Sequence, residues 1–216
     1  KIFEGKTLGV VGESGCGKTT TLKMLNKLIT PTSGEIYIDG KNIKDLNDID
    51  LRRNMGYVIQ QTGLFPHMTI KENIEIIAKT EKYSKEKIDK RIKEVLRMVG
   101  LKEEMLDRYP SELSGGQQQR IGIARAFMTD PKIILMDEPF SALDYQTRLN
   151  VSDDIGQIIR REKKTALLVT HDLSEAISLA DRIIILTKRP ATIQQTLPLI
   201  FSLENDTPLN RRNAPE

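Results

Sequence analysis

The stretch Gly12-Glu13-Ser14-Gly15-Cys16-Gly17-Lys18-Thr19 constrains this chain more than any other part of its 216 residues. It fits the pattern G-x-x-x-x-G-K-[ST], follows the apolar run Leu8 to Val11 and opens the helical run Thr20 to Leu28. Glycines let the backbone curl until successive N–H groups point at phosphate oxygens, and the helix N-terminus adds its partial positive charge. The loop from Gly12 to Thr20 therefore predicts a phosphate cradle. In it Lys18 reaches the β- and γ-phosphates and the Thr19 hydroxyl holds Mg²⁺.

Short apolar runs bounded by polar residues recur at Leu8 to Val11, Ile133 to Met136, Ala166 to Val169 and Ile183 to Leu186. Such runs are expected of strands buried on both faces of a parallel sheet. GEIYIDGKNI, from Gly34 to Ile43, alternates around Asp39-Gly40 instead, which predicts a small antiparallel hairpin beside the main sheet. From Phe65 to Gly116 the strand signal gives way to a helical one. Ser84 is a fitting N-cap, Ile88, Ile92, Val95, Leu96 and Val99 recur at helical spacing, and Gly100 is a fitting stop. The opposite face of that helix, with Lys85, Lys87, Lys90, Arg91, Lys93 and Arg97, reads as a solvated surface, with contact to anionic lipid headgroups as the alternative.

The expected fold is α/β: a P-loop NTPase core with a mixed, mainly parallel sheet, a small antiparallel β piece and a helical subdomain. One domain spans 1–216, with 1–64 and 117–216 as the nucleotide-binding core and 65–116 as the helical subdomain. The missing initiator Met and the abrupt lead into a strand suggest trimming at the N-terminus. The tail from Asn205 to Glu216 shows no periodicity and reads as irregular surface chain or as the start of a segment that continues.

Composition excludes several classes. Thirty-three Lys and Arg against 30 Asp and Glu leave a formal charge of +3, which points to no nucleic acid partner. One cysteine, Cys16, leaves no disulfide framework, so the chain reads as cytoplasmic. No apolar run approaches the roughly 18 to 20 residues that a membrane-spanning helix needs. Cys16 itself has two readings: a thiol activated near a helix N-terminus and protected by MgATP, or a small filler turned away from the site.

Asp137-Glu138 ends the run Ile133 to Met136, at the strand end where ligands sit in parallel α/β sheets. Asp137 is expected to hold Mg²⁺ and Glu138 to polarise the water that attacks the γ-phosphate. Leu113-Ser114-Gly115-Gly116-Gln117 precedes the helical run Ile121 to Met128 and forms a second anion-facing turn. One nucleotide hardly reaches two distant turns, so the pair predicts a dimer in which each nucleotide lies between the glycine loop of one copy and the Ser-Gly-Gly turn of the other.

GESGCGKTT, Gln60 in YVIQQ, LSGGQ, ILMDEP, SALD and His171 in VTHD together resemble the nucleotide-binding subunit of ATP-binding cassette (ABC) transporters, over nearly the whole chain. The resemblance implies an ATPase using ATP and Mg²⁺. It implies that Gln60 senses the metal and the attacking water, and that Ser114, Gly115, Gly116, Gln117 and Asp144 face the partner's ATP. His171 would contact the γ-phosphate; a loop histidine beside a capping-box start, Asp172 and Glu175, is the plain alternative. Family members usually stack an aromatic residue from an earlier strand on adenine, and no such residue is assigned here.

GYVIQQTGLFPHMTIKENI and YPSELSGGQQQR are similar to importers of glycine betaine and other quaternary amines. SALDYQTRLNVSDDIG, LVTHDLSEAIS and DRIIILTKRPATI look more like nitrate, taurine and sulfonate importers. Both imply a paired ATPase, integral membrane permease subunits, an external solute-binding protein acting indirectly, and a peripheral place on the inner face of the plasma membrane. Leu64-Phe65-Pro66-His67-Met68 is the expected docking loop for a helix of the membrane partner, or else plain helical core. Soluble ABC ATPases of translation or repair are the less favoured class, because the segment between Gln60 and LSGGQ has no long heptad run.

Overall fold

The computed structural model describes residues 1–214. The chain opens with β1 (Thr7–Val11), the glycine loop and α1 (Lys18–Leu25), then β2 (Tyr37–Ile38) and β3 (Lys41–Asn42). After these come α2 (Asp48–Arg53), β4 (Met55–Val58), α3 (Ile70–Thr80), α4 (Lys85–Met98) and α5 (Gly115–Phe127). The remainder runs β5 (Ile133–Asp137), α6 (Tyr145–Arg161), β6 (Thr165–Thr170), α7 (Leu173–Leu179), β7 (Arg182–Leu186), β8 (Ile193–Pro198) and α8 (Pro208–Arg212).

Six strands form one sheet in the order β4-β5-β6-β1-β7-β8. The first five in that order pair in parallel, and β8 pairs antiparallel to β7. The sheet is therefore mixed and mainly parallel, as expected. All four predicted strands are present, while β4 and β8 join them at the two edges. The hairpin β2-β3 forms a separate two-stranded sheet, turning through Asp39 and Gly40, both with positive φ.

Parallel strands place their C-terminal ends on one side, so the loops after β1, β5 and β6 all open toward the same edge. Each face of the sheet is sealed by its own core. One gathers Ile70, Ile74, Ile92, Leu96, Ile121, Phe127, Ile134 and Phe140 beneath α3 to α6; the other gathers Leu8, Leu22, Leu51, Leu135 and Val169 beneath α1 and α2. A fully buried Leu, Ile or Phe contributes about 1.5–3 kcal/mol relative to leaving it in water. Strand ends carrying polar side chains are thus held against a rigid base.

The helix ends follow their caps. The Ser84 side chain accepts from the Lys87 N–H and Gly100 follows α4 at φ 67°, as the sequence predicts. Several cations of the α4 basic face are engaged within the fold. Arg91 donates to the carbonyls of Phe127 and Met128, Lys93 lies 3.5 Å from the Glu103 carboxylate, and the Lys87 ammonium lies 3.5 Å from the Tyr83 ring centroid.

The tail departs from the reading of irregular chain. Thr207 caps α8, and Arg211, 6% exposed, donates to the Ala180 carbonyl at 2.6 Å and to both carboxylate oxygens of Asp206. Pro215 and Glu216 lie outside the described residues.

Candidate functional site

The glycine loop leaves β1 and closes on the N-terminus of α1. Gly15 has φ 80° and Gly17, the N-cap, φ 108°. A Cβ at either position would meet nothing within 4 Å, so the left-handed backbone rather than space requires glycine there. Lys18 is 4% exposed and its Nζ donates back to the carbonyls of Gly12 at 2.8 Å and Glu13 at 2.9 Å. A buried ammonium needs such partners, and its charge is thereby poised inside the loop. The Cys16 thiol is buried, and a Cβ on Gly12 would lie 2.8 Å from its sulfur. This burial fits the small filler better than the activated thiol.

Thr19 and Asp137 meet across the sheet. The Thr19 hydroxyl donates to Asp137 Oδ1 at 2.8 Å, and the Tyr57 hydroxyl donates to Asp137 Oδ2 at 3.3 Å. Burial, reinforced by the neighbouring Asp137 charge, pushes the Tyr57 phenol up to about 12. It stays a donor throughout the neutral range.

Glu138 is the meeting point of the site. Its Oε1 lies 3.8 Å from Lys18 Nζ, and its Oε2 accepts from Gln60 Nε2 at 3.4 Å and pairs with His171 Nδ1 at 3.1 Å. Because a carboxylate only accepts, Nδ1 carries the proton in that contact. Glu138 also has φ 45°, unusual for a residue with a side chain, and its backbone N–H donates to the Val169 carbonyl at 2.8 Å. Loops after β1, β4, β5 and β6 thus bring Lys18, Gln60, Glu138 and His171 together.

Ser114, Gly115, Gly116 and Gln117 are placed elsewhere, at the start of α5. The Ser114 hydroxyl accepts from the Gln117 N–H at 3.3 Å and Gln117 Oε1 accepts from the Ser114 N–H at 2.9 Å, a closed capping box. A Cβ on Gly116 would come within 2.5 Å of Thr147 Cγ2, so glycine lets α5 press against α6. Asp144 caps α6, and hydrogen bonds from Thr147 hold its carboxyl below the usual range. Among the described residues no hydrogen bond or ion pair joins this turn to Lys18, Thr19 or Glu138 of the same chain.

A family model described as ABC transporter matches residues 1–141. The chain belongs to the ABC transporter family. It is 55% identical over 185 residues to the glycine betaine/carnitine/choline transport ATP-binding protein OpuCA of Bacillus subtilis (strain 168), covering 86% of this chain and 49% of the relative. It is 45% identical over 196 residues to the glycine betaine uptake system ATP-binding protein YehX of Escherichia coli (strain K12), covering 91% of this chain and 63% of the relative. The chain spans about half the length of several curated relatives that it matches. Among solved structures, the dimeric structure of MJ0796, a bacterial ABC transporter cassette, agrees with a TM-score of 0.80 at 37% identity, over 93% of this chain and 88% of that one. A dimeric post-hydrolysis state of the same cassette, bound to ADP and Pi, agrees with a TM-score of 0.78.

Within this ABC fold, the groups joined at the Asp137 carboxylate are oxygens, the Thr19 and Tyr57 hydroxyls, while Gln60 is held to Glu138 through its amide nitrogen. The oxygen-only set at Asp137 suits Mg²⁺, which keeps several ligands from phosphate and water. Among the described residues no group of three or more His, Cys, Asp and Glu side chains is placed to hold a metal alone. The site fits a cation that arrives with phosphate. No helix among the described residues is long and apolar enough to cross a membrane.

Several residues of the ABC site escaped the motif reading. Arg125 on α5 donates to the carbonyls of Thr62 at 2.8 Å and Gly63 at 2.7 Å, and so anchors the loop that follows Gln60. Asn73, fully buried, accepts from the Phe65 N–H and donates to the carbonyls of Phe65, Met68 and Thr69. Phe65, Pro66 and His67 stay exposed while Leu64 packs on the core, so that loop is a surface feature rather than helical core. Arg148 joins the Leu143 carbonyl to Asp172 and Glu175 beside His171. The capping box expected of Asp172 and Glu175 is half formed: Asp172 accepts from the Ser174 and Glu175 N–H groups, while the Glu175 carboxyl turns to the Thr170 hydroxyl at 2.8 Å.

Proposed function

We propose that this chain is the ATP-hydrolysing subunit of a membrane ABC importer for small quaternary amine osmoprotectants such as glycine betaine. The observation that carries the reading is the convergence of Lys18, Gln60 and His171 on the single carboxylate of Glu138. The names of relatives at 44–55% identity favour the quaternary amines over the nitrate, taurine and sulfonate likeness of the last third.

ATP lies with its phosphates along Gly12 to Thr20. Lys18 exchanges the loop carbonyls for phosphate oxygens, which are stronger acceptors for an ammonium. Glu138 accepts the proton of the attacking water, held in place by the Gln60 amide and the His171 ring. Thr19, Asp137 and Gln60 would hold Mg²⁺, whose bound charge offsets that of the phosphates. A second copy supplies Ser114 to Gln117 against the γ-phosphate, and its Asp144 helps shape the facing site. Each hydrolysis then loosens a closed pair, which makes ATP a reversible clamp.

Residues 65–116 act as the helical subdomain, and the exposed Phe65 loop, held by Arg125 and Asn73, meets the permease. The chain works on the cytoplasmic face of the plasma membrane without spanning it, and the external binding protein acts through the permease. Reconstitution in vesicles with its membrane permease and solute-binding protein tests the reading. Glycine betaine is expected to stimulate ATP hydrolysis several-fold. Stimulation by nitrate or taurine but not by any quaternary amine would overturn the solute assignment.

A further inference from the structure

We infer that Tyr57 is a positioning residue for the metal-binding carboxylate: its hydroxyl fixes the rotation of Asp137. The inference rests on the nucleotide-hydrolysing reading above. A carboxylate turns in a broad, roughly two-fold well about its last torsion, so nothing intrinsic fixes the plane of its two equivalent oxygens. Asp137 is 6% exposed, and at such a depth an oxygen without a donor is costly.

The fold provides one donor for each oxygen. Thr19 donates to Oδ1 from the α1 side, and Tyr57 donates to Oδ2 from β4. The placement follows from strand register. β4 runs parallel to β5 with Tyr57 opposite Leu135, and Leu135 and Asp137 share a face because side chains alternate with period two. Tyr57 is thus the same-face diagonal neighbour of Asp137, and a phenol is long enough to span the gap. Phenylalanine would keep the ring and leave Oδ2 without its donor, freeing the carboxylate to turn from the geometry shared with Thr19.

The test measures binding, not turnover. The full chain carrying Glu138→Gln, with and without Tyr57→Phe, is titrated with a fluorescent ATP analogue in EDTA and then at rising Mg²⁺. Affinity in EDTA should agree within about twofold, while the Mg²⁺ concentration for half-maximal gain rises about threefold to tenfold, the effect of losing one long hydrogen bond. In an Asp137→Asn background Tyr57→Phe should have no further effect on the Mg²⁺ requirement. An unchanged Mg²⁺ requirement, an equal loss with and without the metal, or an effect that survives Asp137→Asn would overturn the inference. If the parent chain bound no nucleotide even with Mg²⁺, the functional reading itself would fall.

Discussion

Lys18, Thr19, Asp137 and Glu138 are legible in the sequence because each sits inside a short motif whose strand or helix partner lies directly beside it. Tyr57, Asn73, Arg125 and Arg148 are not, since their roles depend on partners brought in by the fold; Tyr57 and Asp137 are 80 positions apart. Glu175 is another such case. Burial raises its carboxyl above the ordinary range, with the Asp172 charge adding to the rise and the Thr170 hydroxyl and Arg148 opposing it. A raised carboxyl binds its proton more tightly folded than unfolded, so its contribution to stability is full below the ordinary carboxyl value and is lost as pH climbs through the raised one. Glu175→Gln keeps an acceptor for Thr170 and removes the titration. Its melting temperature relative to the parent should therefore increase from pH 4 to pH 8, by about 2–4 °C for each kcal/mol that the buried charge costs. A difference that stayed flat across that range would show that Glu175 is ionised in the fold without penalty.

The elements that the sequence concealed are short or lie at an edge. β4 has four residues and a glycine in its interior, where a Cβ on Gly56 would come within 2.6 Å of the Ala126 carbonyl; close backbone approach, not strand propensity, set that residue. β8 is an edge strand, Ile193-Gln194-Gln195-Thr196-Leu197-Pro198, mostly exposed, so it carries no alternation. α8 is five residues long with Pro208 in its first turn, too short for helical spacing to register. By contrast, α4 was legible because its apolar stripe and both ends agree. Gly156 marks how closely α6 meets α7 and α8: an added Cβ would come within 2.5 Å of both Leu179 Cδ2 and Pro208 Cγ. Gly156→Ala gains up to about 1 kcal/mol of helix propensity but overpacks this junction, which costs typically about 1–3 kcal/mol. Urea unfolding should show a net loss of about 1 kcal/mol, and a midpoint equal to or above the parent's would mean that the junction is looser than the contacts suggest.

At the scale of the whole molecule, the parallel sheet sends Lys18, Gln60, Asp137, Glu138 and His171 to one edge, while Ser114 to Gln117 and Asp144 lie at the starts of α5 and α6. Within one chain these two sets share no hydrogen bond among the described residues, although both present groups suited to phosphate. In the proposed reading a second copy makes the two halves one site, and the solved cassette of the same fold, 37% identical, is described as dimeric. Glu138→Gln should bind MgATP without consuming it and hold the pair closed. Its mass in solution by light scattering, with and without MgATP, tests this most directly. The account predicts a shift from monomer to about twice the monomer mass on adding MgATP, reversed by EDTA and abolished by Ser114→Arg. A mass that stayed monomeric at saturating MgATP, with nucleotide binding confirmed in the same sample, would contradict it.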